Sequence, residues 1–404
     1  MKNILYLSYD GITDPLGQSQ VLPYVIGLAR NKNYCFTIIS FEKAERYLEN
    51  RKSIQNIVCE HNISWTPLSY TKRPPVFSTI WDIYKLNKVI NNLLKNRSID
   101  LIHCRSYITS IVAIKTKRNH NIPFIFDMRG FYADERVDGG IWNKEHFLFK
   151  RIYNFFKKKE REFLQQSSYT VSLTNTGKKE ILSWNLANQS KIKVIPCCTD
   201  ENLFKEENVI NIKTKLNIKD EDFVISYVGS IGTWYMIDEM LDFFKLLLTK
   251  NKNAKFLFIT KDNPDEILNC AKEKGINKDN IIITPSERKM MPSYIGLSNF
   301  SIFFILPVFS KKASSPTKMG EIMNLGIPII CNSGVGDVDE IMSYCMPELL
   351  INDFSSKEYN RVIELILNNY KANKQEIINT SHKYYSLEKG VEKYKEIYKE
   401  ILKA

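Results

Sequence analysis

A short segment around Ser315 carries the residue types that bind phosphate groups. Ser315 stands where the N-cap of a helix is expected, and Pro316 stands at the first helical position. The free N–H groups and the partial positive charge at such a helix start favour an anion. Ser314, Thr317 and Lys318 add further donors at the same end. The segment therefore predicts a phosphate site, and an ordinary capped helix is the alternative.

A carboxylate lies one turn further along the same predicted helix. Glu321 follows Thr317 by four residues and Lys318 by three, so the three side chains share a face. Gly326 is expected to end the helix in a left-handed conformation, and Pro328 cannot continue it. A carboxylate in this place can accept two hydroxyls of a ribose whose diphosphate is held at the helix start.

The surrounding sequence predicts an α/β fold. Apolar runs of strand length alternate with amphipathic stretches, which is typical of parallel sheets with helices on both faces. The runs form two series, at 4–8, 36–41, 101–104, 124–128, 169–173 and 193–196, and at 223–229, 254–260, 280–283, 299–305 and 328–331. Amphipathic helical stretches lie between them, for example at 18–31, 78–96 and 107–118.

A polar stretch at 200–220 separates the two series of strands, and we place a hinge there. We expect two doubly wound Rossmann-like domains, at 1–200 and 205–385, that face each other across a cleft. The last helix, within 386–404, carries an apolar stripe and is expected to pack back on the first domain. Ligands of such folds bind beyond the carboxyl ends of the strands.

Composition suits a pair of soluble domains. The chain has 404 residues, 44% of them hydrophobic and 25% charged, too many for one ordinary core. No apolar run approaches the roughly 20 residues needed to span a bilayer, and no secretory cleavage signal follows the N-terminus. The eight cysteines are scattered without a C-x-x-C pair. We therefore expect a cytoplasmic protein without a metal site.

Positive charge is concentrated in the first half of the chain. Residues 1–200 contain 30 Lys and Arg and 17 Asp and Glu, a net charge of +13, whereas the remaining residues contain 27 and 28, a net charge of −1. This asymmetry predicts an anionic partner, which could be a membrane, a nucleic acid or a phosphorylated substrate. A merely solubilising surface is the alternative.

One helical stretch combines this basic charge with an apolar stripe. Within residues 143–166 the stripe is formed by Phe149, Ile152, Phe156 and Phe163. The basic residues around it are Lys150, Arg151, Lys157, Lys158, Lys159 and Arg161. The pattern predicts contact with an anionic membrane surface, and a solvated face on an ordinary helix is the alternative.

Four loops at predicted strand ends carry the remaining candidate site residues. Each contains glycines for close backbone approach or polar side chains that a core would not accommodate. These residues are Gly17 and Gln18, His103 and Arg105, Asp127 and Arg129, and Gly229 and Gly232. A plain strand-to-helix turn is the alternative for the loop with Gly17, and a role as a helix cap or as a partner of Arg129 is the alternative for Asp127. The sequence contains no recognisable nucleophilic triad.

Taken together, five segments resemble family four of the retaining glycosyltransferases, which have the two-domain GT-B fold. They lie, in matching order and separation, at 10–20, 126–140, 194–204, 227–232 and 315–328. The resemblance implies transfer of a sugar from a nucleotide-sugar to an acceptor, without a required metal or other cofactor and with retention of anomeric configuration. It also implies that the C-terminal domain holds the nucleotide-sugar and that the basic N-terminal domain holds the acceptor.

Two positions depart from the family pattern. The family commonly has two glutamates separated by seven residues, and Ala313 stands at the earlier position here. The family also often places an Arg and a Lys after the first glycine loop of the second domain, where this chain has none in 230–236. Lys318, or Lys311 and Lys312, could supply the missing charge, because a diphosphate without a metal needs compensation.

The resemblance implies a role for each candidate residue. The implied donor-binding residues are Gly229, Gly232, Ser315, Thr317, Lys318 and Glu321; the catalytic residues are Asp127, Arg129 and Lys318; the acceptor-binding residues are Gly17, Gln18, His103 and Arg105. The expected acceptor is a glycan or a lipid-linked precursor of a surface polysaccharide, reached at the inner face of the membrane, and no nucleic acid is expected. A nucleotide-sugar epimerase of the same fold and a catalytically silent sugar-nucleotide binder are the alternatives.

Overall fold

A computed structural model describes residues 1–30, 32–368 and 370–403. They divide into two compact units. Unit 1 comprises Met1–Pro196 and Leu387–Ala404, and unit 2 comprises Cys197–Ser386. Each unit contains one sheet of parallel strands with helices between the strands, which confirms the predicted α/β fold class.

The sheet of unit 1 has the strand order β3-β2-β1-β4-β5-β6-β7. β1 lies in the interior of the sheet, where it pairs with β2 and β4, and five of its seven residues are buried. The strands are β1 (Lys2–Ser8), β2 (Tyr34–Glu42), β3 (Ser64–Ser69), β4 (Leu101–Arg105), β5 (Phe124–Asp127), β6 (Tyr169–Ser172) and β7 (Lys191–Val194). All run in parallel, so the loops that leave them meet at one edge of the sheet.

Nine helices accompany this sheet among the described residues. They are α1 (Pro15–Gln20), α2 (Leu22–Ala29), α3 (Ala44–Glu60), α4 (Phe77–Asn96), α5 (Ser106–His120), α6 (Tyr132–Asp138), α7 (Phe147–Gln166), α8 (Asn175–Ser183) and, at the end of the chain, α16 (Leu387–Lys403). α5 contacts both α4 and α7, so these three helices form one layer. α16 packs on α2 and buries Tyr394, Ile397 and Tyr398.

The sheet of unit 2 has the strand order β10-β9-β8-β11-β12-β13 and is also parallel. Its strands are β8 (Phe223–Val228), β9 (Ala254–Ile259), β10 (Ile281–Thr284), β11 (Phe300–Phe303), β12 (Ile329–Asn332) and β13 (Leu350–Ile351). Its helices are α9 (Ile237–Lys250), α10 (Pro264–Glu273), α11 (Met291–Ile295), α12 (Thr317–Asn324), α13 (Val338–Cys345), α14 (Ser356–Leu367) and α15 (Lys374–Tyr385). Short 3₁₀ turns, including Phe309–Ala313, connect them.

Two strands and one helix break differ from the sequence expectation. β3 and β13 were not predicted, because β3 is a partly exposed edge strand containing Pro67 and β13 is only two residues long. The helix expected at 18–31 is two helices, α1 and α2, separated at Val21. Pro23 explains the break, since a proline ring clashes with the preceding helical turn.

A buried ionic cluster anchors α7 to the rest of unit 1. The carboxylate of Glu160 is fully buried and accepts hydrogen bonds from Lys157 and from the Tyr107 hydroxyl. Lys157 Nζ also lies 2.8 Å from Asp134 Oδ2. Burial raises the pKa of Glu160, and Lys157 opposes that shift. The expectation that Lys157 supplies free surface charge is therefore wrong, because its ammonium neutralises carboxylates inside the unit.

Replacing Lys157 by Gln should destabilise the protein by about 2–3 kcal/mol. Loss of one partner from a fully buried ion pair costs about 3–5 kcal/mol, and Lys157 keeps about a quarter of its side chain exposed. Lys158→Gln is the matched control, because Lys158 is exposed and surface changes usually stay within about 0.5 kcal/mol. Urea unfolding measures both, and equal stabilities of the two variants would contradict the assignment.

Candidate functional site

In unit 2, α12 begins at the carboxyl edge of the sheet, after β11 and the Phe309–Ala313 turn. Its first helical residue is Thr317, and Pro316 occupies the cap position with an extended backbone. The expectation that Ser315 caps the helix is wrong. Its hydroxyl instead accepts a hydrogen bond from the backbone N–H of Cys197, at 3.2 Å, a partner too distant in sequence to be anticipated. The helix passes through Leu325 to Gly326, whose φ of +68° confirms the predicted left-handed stop.

Glu321 lies on α12, is almost fully buried and contacts two cations. Lys318 Nζ donates to its Oε2 at 2.8 Å, and Arg288 Nη1 donates to its Oε1 at 3.1 Å. The pairing with Lys318 follows from their i, i+3 spacing. Arg288 was missed in the sequence analysis, although it lies in a charged loop after β10, where a strand-end search could have found it.

The glycine loop after β8 is held to the segment that follows β11. Gly229 and Gly232 have φ values of +144° and +84°, which other residues adopt only with strain. The loop backbone donates from Ile231 N to Asp262 Oδ2 at 2.5 Å. Trp234 O accepts from the backbone N–H of Leu306 at 2.9 Å. The structure thus brings the two segments together at the carboxyl edge of the sheet.

A lysine from the second segment lies against this glycine loop. Lys311 is buried, and its Nζ lies 4.0 Å from the centre of the Trp234 ring, within the range of a cation–π contact. The carbonyl of Lys311 accepts from Gly336 N at 2.9 Å, which adds the loop after β12. Lys312 contacts Phe309 instead, at 5.1 Å from its ring centre. The loop without basic residues therefore has an ammonium beside it that another loop supplies.

In unit 1, Asp127 ends β5 and is almost fully buried among polar groups from three elements. The Tyr394 hydroxyl donates to Asp127 Oδ2 at 3.1 Å. His103 Nε2 lies 3.7 Å from the same oxygen, and Arg129 Nη1 lies 3.8 Å from Oδ1, so both contacts are electrostatic rather than hydrogen bonds. Asp127 Oδ1 has no hydrogen-bond partner among the described residues.

Burial and neighbouring cations shift the pKa of Asp127 in opposite directions. For His103, the shift caused by burial is opposed by the Asp127 carboxylate. Burial raises the pKa of Asp127, but the positive charge of Arg129, with a smaller contribution from Arg105, opposes it, and the pKa of Asp127 is lowered. Burial lowers the pKa of His103 despite the neighbouring carboxylate. The Tyr398 hydroxyl shares a hydrogen bond with His103 Nδ1 at 2.7 Å. The site thus holds an ionised carboxylate beside a neutral imidazole at neutral pH.

Arginine side chains join these strand ends to the loop after β1. Arg105, at the end of β4, donates from Nε to Asp10 Oδ2 at 3.1 Å and from Nη1 to the carbonyl of Gln20 at 3.4 Å. Arg129 has a φ of +59° and directs Nη2 to Gln20 Oε1 at 3.4 Å. The predicted residues His103, Arg105, Asp127 and Arg129 therefore form one contiguous group.

Gly17 and Gln18 lie on α1 and contact the loop after β1. A Cβ atom at Gly17 would lie 2.1 Å from the carbonyl oxygen of Gly11, so only glycine fits there. Gln18 donates from Nε2 to the carbonyl of Thr13 at 3.0 Å. The same loop is held by the buried Glu42, a residue not anticipated, which accepts from the backbone N–H of Ile12 at 2.9 Å and from that of Thr13 at 3.1 Å.

Within 1–30, 32–368 and 370–403, no group of three or more His, Cys, Asp and Glu side chains is arranged to hold a metal ion. In the same residues no helix is both long enough and apolar enough to cross a membrane.

Two family matches cover most of the chain. Residues 27–203 match the family described as Glycosyltransferase Family 4, and residues 208–383 match Glycosyl transferases group 1. The second match includes Arg288, Lys311 and α12, and the first includes His103, Arg105, Asp127 and Arg129. None of the curated protein sequences matches the chain.

Solved structures with the same fold extend over nearly the whole chain. Sucrose-phosphate synthase from Thermosynechococcus elongatus is 13% identical, with a TM-score of 0.75 and 99% of both chains covered. Anabaena Alr3699/HepE in complex with UDP and glucose is 12% identical, with a TM-score of 0.70 over 99% of this chain and 100% of that one. A glycosyltransferase from Rickettsia africae is 16% identical, with a TM-score of 0.70 over 100% and 99%.

Unfolding at different pH values tests the environment of His103. Because burial lowers its pKa, the unfolded state takes up a proton near the usual pKa of about 6.5 while the folded state stays neutral. The unfolded state then binds more protons, so the free energy of unfolding should fall as pH decreases, by up to about 1.4 kcal/mol per pH unit. The His103→Asn variant lacks this titrating group, so its free energy of unfolding should decrease less between pH 7 and 5 than that of the wild type. Parallel curves for the two proteins would contradict it.

Proposed function

The chain belongs to glycosyltransferase family four and has the GT-B fold, and from this premise we propose that it transfers a sugar from a nucleotide-sugar to an acceptor with retention of anomeric configuration. The observation that carries the proposal is the group at the start of α12, where Lys318 and Arg288 contact the buried Glu321. Cations beside a helix N-terminus are suited to a diphosphate.

The nucleoside of the donor is assigned to Glu321. Each of its carboxylate oxygens accepts one hydrogen bond from a cation, and a carboxylate oxygen has a second lone pair. Glu321 can therefore accept ribose hydroxyls while it keeps Lys318 and Arg288 in place. The complex of Anabaena HepE with UDP and glucose supports a nucleoside diphosphate as the carrier of the sugar.

The diphosphate is assigned to the donors around α12 and the glycine loop. Thr317, at the first turn of α12, and the backbone at Gly229 and Gly232 approach it, and Ser315 supports the start of the helix through its bond to Cys197. Negative charge on the leaving diphosphate is the main electrostatic demand of the reaction. We assign its stabilisation to Lys318 and to Lys311, whose ammonium lies beside the glycine loop.

Ala313 limits the ways in which this chain can recognise the donor sugar. It is buried at the end of the 3₁₀ turn that carries Lys311, at the position where the resemblance implies a glutamate. An alanine there cannot contact the donor sugar through a carboxylate. Donor recognition in this chain consequently depends on other groups, and we expect its sugar selectivity to differ from that of relatives with both glutamates.

Asp127 is assigned to orienting the reacting sugar and not to covalent attack. Its Oδ1 makes no hydrogen bond among the described residues, and a buried acceptor without a donor is costly, so a substrate hydroxyl or a water is expected there. Arg129 holds the carboxylate ionised. His103, Arg105, Gly17 and Gln18 are buried or bonded within unit 1, so we assign them to shaping the acceptor site.

The proposed acceptor is a glycan or a lipid-linked precursor of a surface polysaccharide, reached from the cytoplasmic face of a membrane. The positive charge of the first half, +13 over residues 1–200 from 30 cationic and 17 anionic side chains, supports an anionic acceptor or surface. No metal or other cofactor is part of the proposal, because the cationic side chains named above supply the compensating charge.

Acceptor-dependent release of the nucleotide tests the transfer reaction. A thermal-shift panel first selects the donor, since a ligand at 100 times its Kd adds about 2.7 kcal/mol of stability. Nucleotide release should then require an acceptor, and NMR should find the donor's anomeric configuration in the product. Asp127→Asn should lower turnover by more than about a hundredfold through lost positioning, with donor affinity nearly unchanged.

Three results would contradict this function. Isomerisation or release without an acceptor would indicate an epimerase, and donor binding without turnover would indicate a silent binder. A product with inverted configuration would contradict retention alone.

Replacing Lys311 by Met should lower kcat by about a hundredfold or more, as expected for loss of one group that stabilises transition-state charge. Methionine keeps the unbranched apolar part of the side chain that packs on Trp234. Lys312→Met is the matched control, because Lys312 contacts Phe309 instead. Steady-state kinetics with the selected donor measure both variants, and equal kcat values would remove Lys311 from the mechanism.

A further inference from the structure

One face of α4 exposes four large apolar side chains to solvent. Phe77, Ile80, Trp81 and Tyr84 are 71%, 58%, 54% and 54% exposed. Their spacing of i, i+3, i+4 and i+7 places them on one side of the helix, and the Trp81 and Tyr84 rings stack at 5.4 Å. We call these four residues the aromatic face. The opposite side of α4, with Leu86 and Ile90, packs into unit 1, so the aromatic face is not needed for the core.

The exposed charges in the segment that carries the aromatic face have one sign. Residues 70–99 contain six Lys and Arg and a single acidic residue, Asp82. Asp82 is fully buried; its Oδ1 accepts from Thr71 Oγ1 at 2.8 Å and lies 2.7 Å from Lys85 Nζ. The exposed cations nearest the face are Lys72, Arg73 and Lys88. The exposed charge within residues 70–99 is therefore entirely positive.

A second exposed apolar group lies at the same end of the same helical layer. Phe147 and Leu148, at the start of α7, are 67% and 47% exposed, and the Arg151 guanidinium lies 4.2 Å from the Phe147 ring centre. α4 and α7 both pack on α5, and both run from the carboxyl edge of the sheet toward its amino edge. With interaxial distances of about 8–10 Å, the two groups lie roughly 20 Å apart.

We propose that the aromatic face of α4 docks unit 1 on an anionic membrane surface. Trp and Tyr are the side chains that favour the membrane–water interface, and basic residues beside them are attracted to anionic lipid headgroups. A bilayer is broad enough to contact both α4 and α7, whereas a single peptide segment would cover only one of them. The inference extends the proposed function and rests on only one part of it, the lipid-linked acceptor.

Vesicle co-sedimentation of the full chain tests the docking surface. The wild-type protein should sediment with vesicles of phosphatidylglycerol and phosphatidylcholine and much less with phosphatidylcholine alone, and high salt should weaken the binding. The double variant Phe77→Ser/Trp81→Ser should bind about a hundredfold more weakly, at roughly tenfold for each side chain removed from the interface. Lys72→Gln/Arg73→Gln/Lys88→Gln should also lose about a hundredfold, at roughly fivefold for each cation.

A matched apolar control distinguishes a specific docking surface from nonspecific adsorption through any exposed apolar side chain. Leu48→Ser removes a side chain that is 83% exposed on α3, and its vesicle binding should equal that of the wild type. The unfolding midpoints of all variants, and their transfer to a water-soluble acceptor, should stay at the wild-type values, because the aromatic face belongs to neither the core nor the candidate site. Vesicle binding can therefore fail while transfer succeeds, and the reverse.

Three outcomes would overturn the inference. The first is wild-type protein that does not bind anionic vesicles at low salt. The second is a Phe77→Ser/Trp81→Ser variant that binds these vesicles as tightly as the wild type. The third is a lipid-free dimer, seen by sedimentation velocity, that this double variant converts to a monomer, because the face would then be an interface between two copies of the chain.

Discussion

The cost of burying a carboxylate is the constraint on which both halves of this structure depend. A buried carboxylate is destabilising unless donors or cations surround it. Glu42, Asp127, Glu160 and Glu321 are all buried, and each is met by groups from another segment. Glu42 receives backbone N–H groups of the loop after β1, and Glu321 receives Arg288 from the loop after β10. Satisfying these carboxylates orders the loops at the carboxyl edges of the two sheets, and ordered polar groups are what electrostatic catalysis requires.

The distribution of strands was largely predictable, whereas the partners of the site residues were not. Eleven of the strands lie where apolar runs predict them, because periodicity is a local property. Within the candidate site, Lys318 and Glu321 could be paired from their spacing alone. Ser315 could not be placed, because its hydroxyl serves the backbone of Cys197, and Arg288 meets Glu321 from 33 residues away. Such contacts are set by the folded topology, which a local pattern does not encode.

The glycine loop after β8 shows that the cation beside a loop can come from a distant part of the sequence. Its residues 230–236 contain no Lys or Arg, yet Lys311 lies against Trp234 of that loop. The backbone bond from Leu306 to Trp234 holds the two segments together. A requirement for positive charge applies to a point in space, and any segment that reaches the point can meet it. The aligned positions of the loop alone therefore do not show whether a cation lies beside it.

The last helix shows why the two candidate carboxylates are compensated differently. Glu321 faces two cations, whereas Asp127 faces one guanidinium at 3.8 Å and a phenol of α16. Burial raises the pKa of Tyr394 and of Tyr398, so both phenols remain protonated donors. A neutral donor stabilises the carboxylate without cancelling its charge. Asp127 therefore keeps its negative charge and an Oδ1 that makes no hydrogen bond among the described residues, which are the properties that the proposed orienting role needs. Through Tyr394, α16 contributes directly to the environment of this carboxylate.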